Sequence, residues 1–524
     1  MSKKTVLCII LIQIFIANIC LGKNTYSIIP SPKYEQAKKG FFIINEDTKF
    51  ILPENNERLY QAINPLLKQL KRSKDNAIEI TKDFSSNEKN RIICKLNKNI
   101  KNNEGYVLDI KKNGIVVEAS TANGIFYAMQ SLRQLLPPEI ENIHQKNIEW
   151  SIPCGIIKDE PEFSYRGFML DVGRHYMPVD FIKKSIEMAA FHKFNKFHWH
   201  LTEDQGWRIE IKKYPKLTAV GGYRNMTLKN HLKDSVYQWD THRYGGFYTQ
   251  EEVKEIVKFA HENFIEVIPE IEMPGHALAA LAAYPEYSCS GGPFEVGTKW
   301  GVFEDIYCTR EETFKLLENI LDEAIALFPS NEIHIGGDEA PRTRWERCHK
   351  CQERIKELNL KNEAELQTYF INRIGKYLNS KGKKIIGWDE VIEGGIPDKA
   401  TVMIWRNDKW ADEATRQGHE VILTPSSSYY LNVPQGDIKK EPMGPLRTIT
   451  LKQTYNYMPI KSTYSSRQKE LVRGVQANLW TEYIATPEHV EYMVFPRLAA
   501  VAETAWRNPE KKNFEDFYLK LKNY

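Results

Sequence analysis

Between residues 165 and 479 the chain repeats one pattern eight times: a short run of strand character, then a helical or loop segment. The strand runs are Tyr165–Leu170, Lys196–Leu201, Glu266–Glu270, Glu332–Ile335, Lys384–Trp388, Val402–Trp405, Glu420–Thr424 and Gly474–Leu479. Amphipathic helical patterns such as Asp180–His192, Gln250–Glu262, Glu311–Leu327 and Glu363–Ser380 lie between them. Strands separated by helices pair in parallel, and a parallel sheet is covered on both faces. Eight such units predict a closed (β/α)8 barrel. An open doubly wound sheet is the alternative, but no glycine-rich phosphate turn follows an early strand.

A barrel gathers its strand-to-helix loops on one face, so polar and aromatic residues should recur just past each strand. They do. The first run leads to Asp171, Arg174 and His175; the second carries His198, His200, Glu203 and Asp204; the third ends in Glu270, Glu272 and His276. Asp338 and Glu339 follow the fourth. Trp388 and Trp405 end the fifth and sixth, Tyr430 and Asn432 follow the seventh, and Trp480 and Glu482 follow the eighth. Each residue taken singly is explained as a core aromatic, a helix cap or a solvated histidine. Their recurrence at the same end of all eight strands is not.

The stretch Glu332-Ile333-His334-Ile335-Gly336-Gly337-Asp338-Glu339 concentrates this chemistry. Four residues of buried-strand character run into a glycine pair, which clears space, and then into two carboxylates. Neighbours on an extended chain face opposite ways, so the two acids do separate jobs unless the backbone turns between them. One carboxyl could transfer a proton while the other holds something in place. Carboxylates, one arginine, a histidine and three tryptophans describe a pocket for a single sugar ring. A His-x-x-x-His metal spacing is absent from this face, and no cofactor is implied.

Two glycosidase mechanisms fit. One pairs an acid with a carboxylate nucleophile, for which Glu272 or Glu482 opposite Glu339 could serve. In the other, the 2-acetamido oxygen of the substrate attacks its own anomeric carbon, and the protein supplies an acid/base and a group that orients the acetamide. Adjacent, differently aimed acids suit the second better. A non-catalytic sugar-binding barrel is a third reading, but such a chain should have lost one of the acids, and all are present.

His334 to Glu339, the run Phe197-His198-Trp199-His200-Leu201-Thr202-Glu203-Asp204-Gln205-Gly206-Trp207-Arg208 and the run Pro269 to His276 together resemble the β-N-acetylhexosaminidases of glycoside hydrolase family 20. Gly124 to Leu135 also resembles that family's N-terminal α+β domain. The resemblance implies an exo-acting enzyme that releases terminal non-reducing GlcNAc or GalNAc with retention, through an oxazolinium intermediate. Glu339 would be the general acid and then the base, and Asp338 would hold the acetamido group. Arg174 and Glu482 would bind the far hydroxyls, and Asp204 with His276 would support the acid/base. Trp388, Trp405 and Trp480 would wall the acetamido pocket and stack under the ring, with Tyr430 donating to the acetamide oxygen. Two positions depart from the pattern: Asn432 stands where many members carry Asp, and Glu203 precedes Asp204 where others have two Asp. Neighbouring-group attack makes sense of such a site, since a well-oriented internal nucleophile can supply on the order of 7–11 kcal/mol.

At 524 residues the chain exceeds one ordinary core. Residues 1–22 read as a secretory signal, with Lys3 and Lys4, an apolar run from Val6 to Ile19, and small residues near Cys20-Leu21-Gly22. Lipidation at Cys20 is the alternative to cleavage, and either predicts an exported protein without a membrane span. Residues 23–155 read as a small α+β domain and 156–524 as the barrel, with no appended carbohydrate-binding domain. In the first domain Phe41–Ile44, Ala77–Ile80 and Arg91–Cys94 read as strands, and Asn56–Ser73 and Asn123–Leu136 as helices. Gly105–Ile110 and Ile115–Ala119 flank Lys112-Asn113-Gly114 as a hairpin. A net charge of +4 from 72 basic and 68 acidic residues calls for no nucleic acid partner. In an exported chain Cys289 with Cys308 and Cys348 with Cys351 are candidate disulfides. A metal reading of Cys348-His349-Lys350-Cys351 needs a second ligand pair, and none stands at a matching spacing.

Overall fold

In a computed structural model that describes residues 26–53, 56–73, 79–82, 89–141 and 148–523, the chain divides into two units. One ends at Pro161 and takes in the residues from Glu515 on; the other is Glu162–Phe514. The signal segment 1–22 and Ala77-Ile78 lie outside the described residues.

The first unit is a seven-stranded mixed sheet in the order Tyr34–Ile44, Trp150–Asp159, Tyr106–Lys111, Gly114–Ala119, Arg91–Leu96, Lys49–Ile51, Glu79–Thr81. Its centre is the expected hairpin, with Lys111 opposite Gly114. Helices Glu57–Ser73 and Ala122–Leu135 form as the periodicity predicts. The second is capped by Thr121, whose hydroxyl accepts the Asn123 N–H, and stops before Pro137-Pro138. The long strand Trp150–Asp159 is absent from the sequence reading because Pro153 and Gly155 interrupt its alternation. Lys520, ion-paired to Glu35 at 3.6 Å, ties the end of the chain into this unit.

The second unit is the closed eight-stranded parallel barrel, which excludes the open sheet. Its strands are Tyr165–Asp171, Lys196–His200, Glu266–Glu270, Glu332–His334, Lys384–Trp388, Thr401–Ile404, Val421–Leu423 and Val472–Leu479. The eighth closes on the first from Gly474 opposite Tyr165 to Leu479 opposite Leu170. Helices Gln250–Glu262, Glu311–Leu327 and Glu363–Ser380 match their sequence patterns to the residue, and Val179–Phe191 begins one residue early. Inside the barrel Met169, Ile268, Ile386, Met403 and Ile422 pack in one buried cluster with Trp388, which ends the fifth strand, and with Tyr430 and Trp480, which follow the seventh and eighth.

The loop after the seventh strand, which carries Tyr430 and Asn432, is anchored by a buried cation. Arg497, at the start of helix Arg497–Trp506, donates from Nη1 to the carbonyls of Val433 (2.8 Å) and Ile449 (3.0 Å), and from Nη2 to those of Leu431 and Met493 (both 2.7 Å). Burial pushes its guanidinium down to about 10, still charged at neutral pH.

The expected disulfides are not seen: the six described cysteines are all free. Cys289, Cys308, Cys348 and Cys351 form one cluster rather than two bonded pairs. An antiparallel bridge between Ser288 and Tyr307 aligns two cysteines that are far apart in sequence. It brings Cys289 and Cys308 to the other two cysteines, a convergence that spacing alone does not reveal.

Arg497→Leu strands four carbonyls and is expected to lower the unfolding free energy by about 3–5 kcal/mol in urea denaturation. The exposed Arg467→Leu should stay within about 0.5 kcal/mol.

Candidate active site

The glycine pair after the fourth strand turns the backbone. Gly336 has φ +68° and Gly337 φ +93°, and Glu339 itself sits at φ +40°, a region non-glycine residues seldom adopt. A Cβ on Gly336 would lie 1.6 Å from Oε2 of Glu272, so only glycine fits there. The turn brings two sequence neighbours to one imidazole: His276 Nε2 lies 3.6 Å from Glu339 Oε2 and 3.8 Å from Asp338 Oδ2. Asp338 is buried, whereas the Glu339 side chain is 41% exposed. One acid is enclosed and the other opens to solvent.

His276 is held from behind. Its Nδ1 is 2.7 Å from Glu203 Oε1 and 3.1 Å from Asp204 Oδ2. Glu203 in turn faces Arg174 Nη2 at 3.0 Å and His200 Nε2 at 3.2 Å. Asp204 accepts the Leu278 N–H at 2.9 Å. Burial disfavours charge on His276, but Glu203, Asp204 and Glu339 outweigh it and hold the imidazole well above its ordinary range. Glu203, against the same burial, is held well below by Arg174 and His276. Burial pushes Asp204 up to about 6. Of the two acids, burial with the neighbouring Glu339 and Glu270 charges pushes Asp338 up to about 7, against the pull of His276. Glu339 is held below its ordinary value by the facing His276 imidazole.

Aromatic rings form the adjoining wall. Trp388 donates from Nε1 to Glu270 Oε1 at 2.8 Å, and its ring lies 5.8 Å from that of Trp480. Tyr430 lies 6.1 Å from Trp480 and stacks at 15° on Trp405, also 6.1 Å away. The Arg174 guanidinium sits 5.0 Å over the Trp480 ring, which links the aromatic wall to the His276 clamp. Glu482 is half-buried and raised by that burial, against the opposing field of Arg174. Four buried acceptors in this region, Asp338 Oδ1, Asn432 Oδ1 and both carboxylate oxygens of Glu272, have no hydrogen-bond partner among the described residues. Such orphans are costly unless a ligand satisfies them.

Several contributors carry more weight than their sequence context suggests. Glu203 looks like a conservative replacement, yet it is the hub between Arg174, His200 and His276. Glu270 gathers His334 Nδ1 (2.8 Å), His198 Nε2 (3.0 Å) and Trp388 beneath the pocket. Glu390, missed altogether, accepts from Trp405 Nε1 at 3.0 Å and is pushed up to about 9 by burial and the charges of Asp338 and Asp389. Its place directly past the fifth strand was the available signal. Glu272, a candidate nucleophile, is buried under Gly336 and raised well above its ordinary range by burial, Asp338 and Glu270. A neutral, enclosed carboxyl is a poor nucleophile.

The family model for the glycosyl hydrolase family 20 catalytic domain matches residues 163–509, and that for domain 2 of the same family matches residues 25–160. A beta-hexosaminidase of Porphyromonas gingivalis is 47% identical over 422 residues, 80% of this chain and 53% of that protein. One from Akkermansia muciniphila is 32% identical over 431 residues, 80% of this chain and 83% of its own length. The chain thus spans about half the length of the first of these relatives. Among solved structures, the β-N-acetylhexosaminidase of Bacteroides fragilis superposes with a TM-score of 0.80 at 34% identity, covering 94% of both chains. The Streptomyces plicatus N-acetyl-β-hexosaminidase in complex with Thio-NAglucal gives 0.81 at 29%, covering 95% of this chain and 93% of that one. On the family models and these likenesses together, the chain belongs to glycosyl hydrolase family 20.

Proposed function

We propose that the protein is an exo-acting β-N-acetylhexosaminidase that removes terminal β-linked N-acetylhexosamine from glycans by a retaining, substrate-assisted mechanism. The observation that carries this reading is the pairing of a buried, partnerless Asp338 oxygen with a solvent-facing Glu339 across one imidazole. An acetamide N–H is the donor that the Asp338 oxygen lacks. Its carbonyl oxygen attacks C1 from the opposite side to the leaving group while Glu339 gives its proton to the glycosidic oxygen. The C1–O bond breaks, and the oxazolinium cation forms beside the Asp338 carboxylate. Glu339, now ionised, takes a proton from water as the water attacks C1, and the ring opens to the β-anomer.

The free site places its protons the other way round, with Asp338 high and Glu339 low. Substrate corrects this. An acetamide N–H favours the charged Asp338, and an aglycone covering Glu339 strips its water and favours the neutral acid. Arg174 and Glu482 meet the ring hydroxyls, with Asn432 beside them. Trp388, Trp405 and Trp480 enclose the acetamido methyl, and Tyr430 donates to the acetamide oxygen. Asp204 and His276 steady Glu339. The solved Vibrio harveyi relative, an exo-β-N-acetylglucosaminidase in complex with N-acetylglucosamine, supports this substrate class. We propose also that the protein is exported through residues 1–22.

An aryl β-N-acetylglucosaminide should be cleaved and the matching β-glucoside left intact; comparable cleavage of both contradicts substrate assistance. Glu339→Gln is expected to lower kcat/KM by about 10²–10⁴-fold on a sugar aglycone, and far less on a nitrophenyl aglycone that leaves without a proton. Between the low Glu339 value and the Asp338 value near 7 the two acids share one proton. The kcat/KM profile should therefore be a bell whose alkaline limb falls near pH 7. In Asp338→Asn that limb should move to lower pH, because Glu339 then loses its proton at its own depressed value. An unmoved limb assigns it to another group.

A further inference from the structure

The four-cysteine cluster lies outside the sugar pocket, and the glycosidase chemistry makes no use of it. Two of its members come from the loop after the third barrel strand. There the Ser288–Tyr307 bridge and the Cys308 N–H donated to the Tyr287 carbonyl at 2.9 Å set Cys289 beside Cys308. The other two come from the loop after the fourth strand, where Cys348 is the N-cap of helix His349–Glu357 and Cys351 sits in its first turn. A Cys-x-x-Cys at a helix start converges two sulfurs on one point.

The geometry matches a metal rather than disulfides. Sγ of Cys351 is 3.7 Å from those of both Cys289 and Cys308, Cys308 is 3.8 Å from Cys348, and all four sulfurs lie within 4.8 Å of one another. A tetrahedron with Zn–S arms of about 2.3 Å has edges of about 3.8 Å, whereas disulfide sulfurs are about 2.0 Å apart. Cys308 and Cys351 are fully buried, and Thr309 donates its hydroxyl to Cys351 Sγ at 3.4 Å, the outer hydrogen bond that a metal thiolate accepts. Four sulfurs without an oxygen ligand favour a soft ion over magnesium or calcium.

We propose that Cys289, Cys308, Cys348 and Cys351 bind one zinc ion as a closed tetrathiolate site. The thiols release their protons to solvent on binding. With all four positions filled by protein, the ion is structural and leaves no place for water or substrate. It joins the loop that carries His276 to the loop that carries Asp338 and Glu339. Tyr307 reinforces the same junction, its N–H donating to the Pro274 carbonyl at 3.0 Å and its carbonyl accepting Trp345 Nε1 at 2.9 Å.

Elemental analysis of the full chain, purified without chelators from zinc-containing medium, should find one zinc per chain. Cobalt(II) substituted for it should show tetrahedral d–d bands and sulfur-to-metal charge transfer. Cys348→Ser with Cys351→Ser should lose the metal; because that variant can fail to fold, the wild-type zinc content and cobalt spectrum decide independently of it and of any activity. Intact mass after denaturation should correspond to free thiols at these four positions. A mass lowered by the hydrogens of two disulfides, or a metal-free chain whose four thiols all react with a thiol reagent, overturns the proposal.

Discussion

One buried imidazole organises the site. His276 stands between Glu203 and Asp204 on one side and Asp338 and Glu339 on the other, and every distance in this arrangement is under 4 Å. Its charge is sustained only because the carboxylates outweigh the cost of burial. Theirs is sustained in part by it and by Arg174. Removing one member leaves uncompensated charge in a poorly solvated place, which is far more costly than the pair is worth. The positions of Asp338 and Glu339 are therefore a property of the network, with contributions from the first four barrel strands.

The barrel makes such a network possible by bringing distant residues together at the ends of parallel strands. His276 follows the third strand, Asp338 and Glu339 the fourth, and Glu203 and Asp204 the second. The backbone then bends where space demands it: Gly336 clears the Glu272 carboxyl, and the positive φ of Glu339 returns its side chain toward His276. On the opposite side of the mouth, Arg497 fixes the loop that presents Tyr430 to Trp405 and Trp480. Two kinds of fastening thus hold the aromatic wall and the acid pair, each built from buried charged groups: the Arg497 guanidinium on four carbonyls and the His276 imidazole among carboxylates.

Much of this was legible in the chain because it rests on periodicity and local order. The eight barrel strands fall within about two residues of their sequence runs, since apolar runs bounded by helices leave few alternatives. The convergence of Arg174, His276, Asp338, Glu339 and the tryptophans followed from barrel topology alone. What stayed hidden depends on long-range geometry. Glu203 reads as a substitution but serves as a junction, because only the fold brings Arg174 and His276 to its two oxygens. Strand Trp150–Asp159 is concealed by its own proline and glycine. The cysteines read as two pairs, because a bridge between Ser288 and Tyr307 has no signature in spacing.

The most direct measurement of the central claim is the affinity of a bicyclic thiazoline that mimics the oxazolinium, compared with that of N-acetylglucosamine itself. If Asp338 stabilises an intermediate made from the substrate's own acetamide, the mimic binds the wild-type protein at least about 10²-fold more tightly than the sugar, and Asp338→Ala removes most of that difference. Equal affinities, or a preference untouched by Asp338→Ala, would contradict the account.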